Sequence, residues 1–331
     1  MSFQKDVVLL ITHSGDYFTI DRVIASLLKR GVQPIRLDTD KFPMNIKINA
    51  YLNNDGNHHR VELDDIVFDS QQVKSVWMRR IWEADLSPDL APKFRVACVN
   101  QSSAVLDGFW DSLKQAFWLD DLAKIHAAEN KLYQLRVAAE VGLLIPKTLV
   151  TNDAEAARDF FGQVDEKMIT KLLRPLYYGM EGSNFFMYTS VVKAADLEDA
   201  ESLRYCPMVF QEQIPKLKEL RAIYVDGKLF VGALDASIYA DSTQDWRRNT
   251  PRDCAWKIDE LPEEIIHRLR EFMGHLELKF GAFDFIVTPD GEHIFLEVNP
   301  NGEWGMLERD LDYPIADAIA ETLVSNFPLQ L

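Results

Sequence analysis

Three oxygen-bearing side chains near the C-terminal end of the sequence have a spacing that suits a metal site. Asp284, Glu297 and Asn299 lie on two short apolar runs, and the dipeptide Asp290-Gly291 separates these runs. Asp-Gly between alternating hydrophobic residues is a strong signal for a β-hairpin. A two-residue or a four-residue loop centred on this dipeptide gives the same register. Pairing outward from it predicts that Asp284 lies directly opposite Glu297, with Asn299 two residues further along on the same face.

Two carboxylates that face each other across a strand pair repel, and a hard cation between them would remove that penalty. Mg²⁺ takes oxygen ligands, commonly one or two carboxylates together with substrate phosphates. The alternative is a solvated strand face that carries acids by chance. Ile286 and Phe295 are expected on the same face, and they argue against full solvation. We therefore predict that Asp284, Glu297 and Asn299 bind Mg²⁺.

Composition and charge limit the classes of protein that the sequence can encode. The 331 residues are 47% hydrophobic and carry a formal net charge of −16, which disfavours a nucleic-acid-binding protein. No run of about 18 apolar residues occurs, so no membrane-spanning helix is expected. Cys98, Cys206 and Cys254 show neither zinc-site nor disulfide spacing, which predicts a reducing, cytoplasmic location.

The N-terminal part of the sequence has the pattern of a β-α-β unit. Val7–Thr12 is a continuous apolar run, a helix is expected up to Arg30, and Pro34–Leu37 is a second short strand. A dinucleotide-binding domain would carry GxGxxG after the first strand, and the loop His13–Asp16 lacks it. This difference disfavours an oxidoreductase.

Two consecutive arginines follow the predicted strand Val73–Trp77. Arg79 and Arg80 stand between Trp77 and Trp82 in the sequence. Guanidinium groups bind carboxylates and phosphates bidentately, so this pair could hold an anionic group of a substrate. The pair could equally be surface arginines that pack on aromatic rings.

Three further features suit a bound polyphosphate. Lys131 lies in the first turn of a helix that begins at Asn130, where a lysine opposes the helix dipole unless a phosphate is bound. Lys171 lies within the apolar strand Met168–Leu173, where a buried amine needs an anion. The loop Gly179–Ser183 could close over phosphates through its N–H groups. No one of these features is decisive, because lysines and glycine loops also occur without ligands.

Two more segments carry charged residues in suggestive positions. A second hairpin, Glu219–Leu234, brings Glu219 and Arg221 onto one face, and Arg247 follows in a polar loop.

The segment Val192–Ser202 is expected to be a helix with a strongly acidic face. Asp196 and Asp199 are spaced one helical turn apart on it. Such a face is usually only solvated, and it could also receive an arginine from a basic peptide.

The order of these residues resembles that of the ATP-grasp carboxylate–amine ligases over roughly residues 120–325, and the D-x₁₂-E-x-N spacing is the specific part of the likeness. Further segments extend the resemblance over essentially the whole chain to the microviridin ligases, which cross-link side chains of a ribosomal precursor peptide. These segments are THSGD, LDTDKFP, VWMRR, NKLxQLRxAxEVGLxIP and NPNGEWGMLERDLDYPI. The chain looks most similar to the amide-forming (lactam) member of that family.

The resemblance implies an α/β protein with the ATP-grasp fold. A Rossmann-like pre-ATP-grasp domain would occupy residues 1–118, a central lobe residues 119–207 and a C-terminal lobe residues 208–331, with ATP clasped between the two lobes. The family also implies a homodimer, a precursor peptide with a leader helix, and no nucleic-acid or membrane partner.

The resemblance also implies a role for each candidate residue. A Glu or Asp side chain of the peptide would attack the γ-phosphate and become an acyl phosphate, which a Lys amine of the same peptide would then attack. The residues implied are Lys131, Lys171 and Gly182 at the phosphates of ATP, Gln211, Glu212, Gln213 and Ile214 at adenine, Glu219 at the ribose, Asp284, Glu297 and Asn299 at Mg²⁺, Arg221 and Arg247 at the developing charge, and Asp196, Asp199, Arg79 and Arg80 at the peptide.

Three other functions stay open at this point. They are an ester-forming (lactone) ligase of the same family, an ATP-grasp ligase that adds amino acids to a small substrate, and a non-catalytic nucleotide-binding regulator. The complete metal set and the two arginines argue against the regulator, because a protein that only binds has no transition state to stabilise. Loss of one water within a peptide would indicate cross-linking, whereas gain of an amino acid would indicate addition.

Overall fold

The computed structural model of the chain describes residues 6–54, 56–173, 189–235 and 256–327. Several predictions from the sequence fall on residues outside these ranges. They concern Gly182 and the loop Gly179–Ser183, Arg247 and Cys254.

The described residues form the following strands and α-helices. The strands are β1 (Val7–Thr12), β2 (Pro34–Asp38), β3 (Ile46–Asn53), β4 (Gly56–Leu63), β5 (Ile66–Asp69), β6 (Val73–Met78), β7 (Phe117–Leu119), β8 (Thr148–Thr151), β9 (Met168–Lys171), β10 (Ser190–Val192), β11 (Met208–Glu212), β12 (Lys218–Val225), β13 (Lys228–Asp235), β14 (Lys257–Ile258), β15 (Phe280–Val287) and β16 (His293–Asn299). The helices are α1 (Thr19–Lys29), α2 (Pro92–Ser112), α3 (Leu122–Ala128), α4 (Lys131–Glu140), α5 (Ala154–Gln163), α6 (Glu263–Leu276), α7 (Gly305–Leu311) and α8 (Ile315–Ser325).

The N-terminal part is built on a parallel sheet in the order β2-β1-β6-β7. Every residue of β1 is buried, as its unbroken apolar run predicts. Helix α1 turns Ile20, Val23 and Leu27 inward and ends before Gly31, whose φ of +75° suits glycine. The predicted β-α-β opening is therefore confirmed. Strand β7 spans the expected boundary at residue 118, and a small antiparallel sheet β3-β4-β5 accompanies this part.

The central part is an antiparallel sheet in the order β10-β9-β11-β8, and α5 packs on it. The expected acidic helix over Val192–Ser202 is wrong. The chain instead forms two 3₁₀ segments, Ala194–Leu197 and Ala200–Tyr205. An Asp196 carboxylate oxygen accepts the backbone N–H of Lys193 at 2.8 Å, so a local turn replaces the helical hydrogen bonds.

The C-terminal part is an antiparallel sheet in the order β14-β13-β12-β15-β16. One face packs on α6 through a cluster of aromatic rings that includes Phe272, Phe283 and Phe295. Helix α8 contacts both β12 and α1, so it joins the C-terminal sheet to the N-terminal part. Within the described ranges, no helix is long and apolar enough to cross a membrane.

Candidate active site

A row of charged side chains crosses three neighbouring strands of the C-terminal sheet. Arg221 of β12 pairs with Asp284 of β15, and Asp284 pairs with Glu297 of β16. Residues directly opposite in a ladder share one face, so the three side chains lie side by side. Their side chains are 7%, 13% and 18% exposed, in that order. The predicted apposition of Asp284 and Glu297 is confirmed.

The turn that produces this apposition differs from the expected one. Thr288 N donates to Glu292 O at 2.9 Å, which leaves a three-residue loop ending in Gly291 at φ +87°. The two- or four-residue loop expected from the sequence was wrong, and the first pairs of the hairpin are shifted by one residue. Ile286 therefore pairs with Ile294 rather than with Phe295.

A bulge at Leu296 cancels the shift before the acids are reached. Asp284 pairs with Glu297 and the next residue, Phe285, pairs with Phe295, so Leu296 is the extra residue. Phe295 consequently lies on the face away from the acids, where its ring centroid is 5.8 Å from that of Phe285. The expectation that Phe295 shares the acidic face is wrong.

Each carboxylate of the row has a cation beside it. Arg221 Nη1 donates to Asp284 Oδ1 at 2.8 Å and to Oδ2 at 2.9 Å. Lys131 Nζ lies 2.7 Å from Glu297 Oε2. The mutual repulsion of the two acids is therefore offset by a cation on each flank.

Helix α4 places Lys131, and a buried glutamine fixes the helix against β16. Asn130 caps α4 by accepting the N–H groups of residues 132 and 133. Gln134 is 2% exposed, and its amide pairs with both backbone groups of Val298, donating to O at 2.8 Å and accepting from N at 3.0 Å. Val298 lies between Glu297 and Asn299, so Gln134 holds the centre of the candidate metal set.

Sequence reasoning missed Gln134. The available signal was a glutamine on the inward face of an otherwise apolar stripe that includes Leu135 and Ala138. A buried amide must find partners for its donors and acceptor, and an unpaired strand backbone offers both.

The donor set of the row fits a hard divalent cation. Asp284, Glu297 and Asn299 offer carboxylate and amide oxygens on one strand pair, and Asn299 Oδ1 also accepts the N–H of Asn301 at 3.0 Å. In the described part of the chain, no cluster of three or more His, Cys, Asp or Glu side chains has metal-binding geometry. A set with only two carboxylates fits Mg²⁺, which takes its remaining ligands from phosphates and water.

The residues expected at the nucleotide lie on the central sheet and on the segment that leaves it. Lys171 is opposite Val209 in the β9–β11 pair. Gln211 is 1% exposed and donates to Thr148 Oγ1 at 2.8 Å, so its side chain is engaged within the sheet. Glu212, Gln213 and Ile214 then connect β11 to β12, the strand that carries Arg221.

Two of the residues expected at the nucleotide, Glu212 and Glu219, make local contacts. Glu212 N donates to Lys147 O at 3.0 Å, and Glu212 Oε2 accepts the N–H of Lys147 at 3.2 Å. At the start of β12, Glu219 Oε1 lies 2.5 Å from Lys216 Nζ. Glu219 shares its strand face with Arg221, as predicted.

The two consecutive arginines have opposite environments. Arg79 is 2% exposed and bonds to Asn301 O and Glu303 Oε2, at 2.7 Å and 2.5 Å. Burial lowers the pKa of Arg79 from its ordinary value, and Glu303 opposes that effect. Arg80 is 43% exposed, with its guanidinium 3.6 Å from Glu303. Solvent therefore reaches Arg80 and not Arg79.

The acids expected to bind a peptide are both exposed. Asp196 lies within the 3₁₀ segment Ala194–Leu197, and Asp199 directly precedes the segment Ala200–Tyr205. Their surface therefore remains open, although it is not the helical face that the sequence suggested.

Comparison with known proteins identifies the family of the chain. Residues 7–126 match the model of the MvdD pre-ATP-grasp domain. The structure is similar to that of the macrocyclase MdnB from Microcystis aeruginosa MRC, with 54% sequence identity, a TM-score of 0.82, and coverage of 96% of this chain and 99% of MdnB. The chain belongs to the ATP-grasp macrocyclase family.

Two more members of this family have solved structures that resemble the chain. The macrocyclase MdnC from Microcystis aeruginosa MRC, bound with the precursor peptide MdnA, is 35% identical with a TM-score of 0.86, over 96% of this chain and 99% of MdnC. An ATP-grasp ligase from Chryseobacterium gregarium, associated with ribosomally synthesised and modified peptides, was solved with ADP, a leader and a core peptide. It is 29% identical with a TM-score of 0.91, over 98% of each chain.

The chain is therefore an ATP-grasp ligase with a pre-ATP-grasp domain at its N-terminus, as the sequence predicted. Ligases of this fold join a carboxylate to an amine in an ATP-dependent reaction. The charged row on β12, β15 and β16 is the part of this ligase whose geometry suits that chemistry.

Proposed function

We propose that this ligase closes an amide between a Lys side chain and a Glu or Asp side chain within one ribosomal precursor peptide, using ATP and Mg²⁺. The observation that carries the proposal is the row of two neighbouring acids with a cation at each end. Its order is Arg221, Asp284, Glu297 and Lys131. A row of this kind can hold a phosphate chain and its counter-ion beside a reacting carboxylate.

Different residues bind the phosphates, the adenine and the ribose of the nucleotide. Lys131 and Lys171 bind phosphate oxygens, the segment Gln211–Ile214 borders adenine, and Glu219 accepts from the ribose hydroxyls. Asp284, Glu297 and Asn299 hold Mg²⁺, which neutralises phosphate charge and orients the reacting groups. The Chryseobacterium gregarium ligase was solved with ADP, which supports a bound adenine nucleotide in this ligase.

Binding of the nucleotide requires the row to exchange partners. Asp284 and Glu297 are bonded to Arg221 and Lys131, so a metal must replace a cation at each acid. The phosphates of ATP then accept the two released cations, and no charge is left uncompensated. Metal and nucleotide should therefore bind together more tightly than either binds alone.

The amide forms in two steps, transfer of the γ-phosphoryl group to the peptide carboxylate and displacement of phosphate by the amine. A peptide carboxylate oxygen attacks the γ-phosphorus, the bond to the bridging oxygen breaks, and ADP leaves. The Lys amine then attacks the carbonyl carbon of the acyl phosphate, loses a proton, and phosphate leaves. Arg221 lies beside Asp284, where its guanidinium stabilises charge on the transferring group. Arg247 is proposed for the same role.

The degree of similarity to two relatives supports a choice between the two types of bond. The chain is 54% identical to MdnB and 35% identical to MdnC over the same share of its length. We therefore propose that it makes the same kind of bond as MdnB, and the sequence resemblance implies that this bond is the lactam. A lactone is the alternative within the family.

The peptide is proposed to bind at two exposed positions. MdnC was solved with its precursor peptide, which supports a peptide as the substrate here. Asp196 and Asp199 would receive an arginine of a leader helix, and Arg80 would bind an acidic side chain of the core. Arg79 is buried, so we do not assign it a contact with the peptide.

A cytoplasmic homodimer is also proposed. Helix α2 exposes two apolar side chains on one face, Phe94 and Val105, which are 51% and 39% exposed. A second copy would cover such a surface. Sedimentation analysis of the purified chain tests this, because a monomeric mass at micromolar concentration would contradict it.

Intact-mass analysis of a precursor peptide tests the function directly. The peptide should carry a free lysine near an acidic residue and be incubated with the ligase, ATP and Mg²⁺. Loss of one water with a blocked lysine and one ADP formed would support the lactam. Loss of one water with the lysine free would indicate a lactone, and a gain of mass would indicate addition of an amino acid. Glu297→Gln is the inactive control.

A further inference from the structure

Arg79 reaches from the N-terminal sheet into the loop that follows the candidate metal-binding strand. It comes directly after β6, and its backbone N donates to Ile11 O at 2.8 Å, so its position is fixed by the sheet. Its guanidinium bonds to Asn301 O at 2.7 Å and to Glu303 Oε2 at 2.5 Å. A buried guanidinium that is paired in this way is costly to separate from its partners. Arg79 therefore ties the N-terminal sheet to this loop.

Glu303 links Arg79 to the charged row. One carboxylate oxygen of Glu303 receives Arg79, while the other accepts the backbone N–H of Gly305 at 2.9 Å. The backbone O of Glu303 accepts Arg221 Nη2 at 3.0 Å. Nη1 of the same guanidinium donates to both carboxylate oxygens of Asp284. A continuous chain of hydrogen bonds thus runs from the N-terminal sheet to a candidate metal ligand.

The loop has no room to shift without disturbing the row. A Cβ atom added at Gly302 would collide with the Cβ of Ala282 and lie 2.9 Å from Arg221 Nη2 and 3.2 Å from Asn299 Cβ. At the far end, a Cβ at Gly305 would lie 2.8 Å from the Phe18 ring of the N-terminal part. Close packing of this kind transmits a displacement from one side of the loop to the other.

We propose that Arg79 is a positioning residue for the metal site. Through Asn301 and Glu303 it fixes the loop that follows Asn299, and the N–H of Asn301 donates to Asn299 Oδ1 at 3.0 Å, so the N-terminal domain positions this metal ligand and sets the affinity of the ligase for Mg²⁺. This inference rests on the proposed function only in that Asp284, Glu297 and Asn299 hold the metal.

The test measures binding of Mg²⁺ in the presence of a non-hydrolysable ATP analogue, by titration calorimetry. Removing a partner of a metal ligand typically weakens metal binding by about 10- to 100-fold, and we expect Arg79→Met to fall in that range. The KM for the peptide should stay unchanged, and a high Mg²⁺ concentration should restore kcat. Arg270→Met, which removes an exposed arginine on α6, is the matched control and should leave Mg²⁺ affinity unchanged.

Two further variants keep the inference testable. Arg79→Lys retains the charge but cannot make both bonds, so it gives an intermediate loss if Arg79→Met fails to fold. Glu303→Gln combined with Arg79→Met should lose no more than Arg79→Met alone, because both act through one contact. A rise in the peptide KM with unchanged Mg²⁺ affinity would overturn the inference and make Arg79 a peptide contact. Unchanged Mg²⁺ affinity in Asp284→Asn would instead overturn the metal site itself.

Discussion

Asp284 and Asp120 are both aspartates withdrawn from solvent, and the protein stabilises them in opposite ways. Asp284 lies in the row on the C-terminal sheet, where Arg221 donates to both of its oxygens at 2.8 and 2.9 Å. Asp120 follows β7 and is 4% exposed. Its two oxygens accept the backbone N–H groups of Lys279 and Phe280, at 2.8 and 2.9 Å. Burial raises the pKa of Asp120 to about 7.

The difference lies in whether the partner of the carboxylate can be exchanged. A side-chain cation can move to another anion, so Asp284 can give up Arg221 and accept a metal. Backbone N–H groups cannot leave, and the ones that hold Asp120 belong to the beginning of β15 and the residue before it. Asp120 therefore joins the N-terminal sheet to the C-terminal sheet, whereas Asp284 is available for chemistry.

The largest expected effect is the loss of turnover in Asp284→Asn. Asparagine keeps the shape and can still accept one hydrogen bond from Arg221, but it lacks the charge that we propose for binding Mg²⁺. We expect peptide-dependent ADP formation to fall by roughly 10³-fold, the order found when one charge-stabilising group is removed from an active site. Asp290→Asn, at the exposed tip of the same hairpin, is the matched control and should retain full activity. Turnover in Asp284→Asn close to that of this control would remove the distinction between the two aspartates.

A smaller effect is expected from Lys131→Met, which removes the cation beside Glu297. If Lys131 transfers to a phosphate when ATP binds, its loss removes one charged hydrogen bond of roughly 1.5–3 kcal/mol, or about 10- to 100-fold in the KM for ATP. Steady-state kinetics at varied ATP concentration measure this KM. Lys124→Met, on α3, removes an exposed lysine and should leave the KM for ATP unchanged. A normal KM for ATP in Lys131→Met would mean that the lysine only neutralises Glu297.

The hairpin of β15 and β16, which carries Asp284 and Glu297, was predictable because its sequence signals are local and redundant. Asp290-Gly291 between apolar runs predicts the turn, and the acids mark one face. Its register was predicted correctly only through compensation: the turn is one residue different from the expected one, and the bulge at Leu296 restores the pairing. Nothing in the sequence marks that bulge, because Leu296 is an ordinary strand residue.

The rest of the site depends on contacts between distant segments, which a single sequence does not display. Gln134 meets Val298 across 164 positions, and Arg79 meets Glu303 across 224. The segment around Asp196 was predicted as a helix because its composition allows one. The Asp196 side chain bonds to the nearby backbone N–H of Lys193 instead, which is the competition that makes aspartate a poor residue inside helices.

The smallest expected effect concerns the pH dependence of stability at Asp120. Its pKa is about 7 in the folded protein against an ordinary 3.8, so the folded state binds the proton more tightly than the unfolded state. The stabilisation from this group is therefore full below its ordinary pKa and is lost as the pH rises towards 7. Asparagine does not titrate, so the free energy of unfolding of Asp120→Asn should lack this dependence.

Urea denaturation of the protein and of Asp120→Asn at about pH 5 and about pH 8 measures the difference. We expect the advantage of the natural aspartate over asparagine to shrink as the pH rises, with kcat unchanged at either pH. An advantage that stays constant or grows would mean that the two N–H groups of Lys279 and Phe280 keep Asp120 ionised throughout. Asp120 would then be charged at neutral pH, and only the exchangeability of its partners would distinguish it from Asp284.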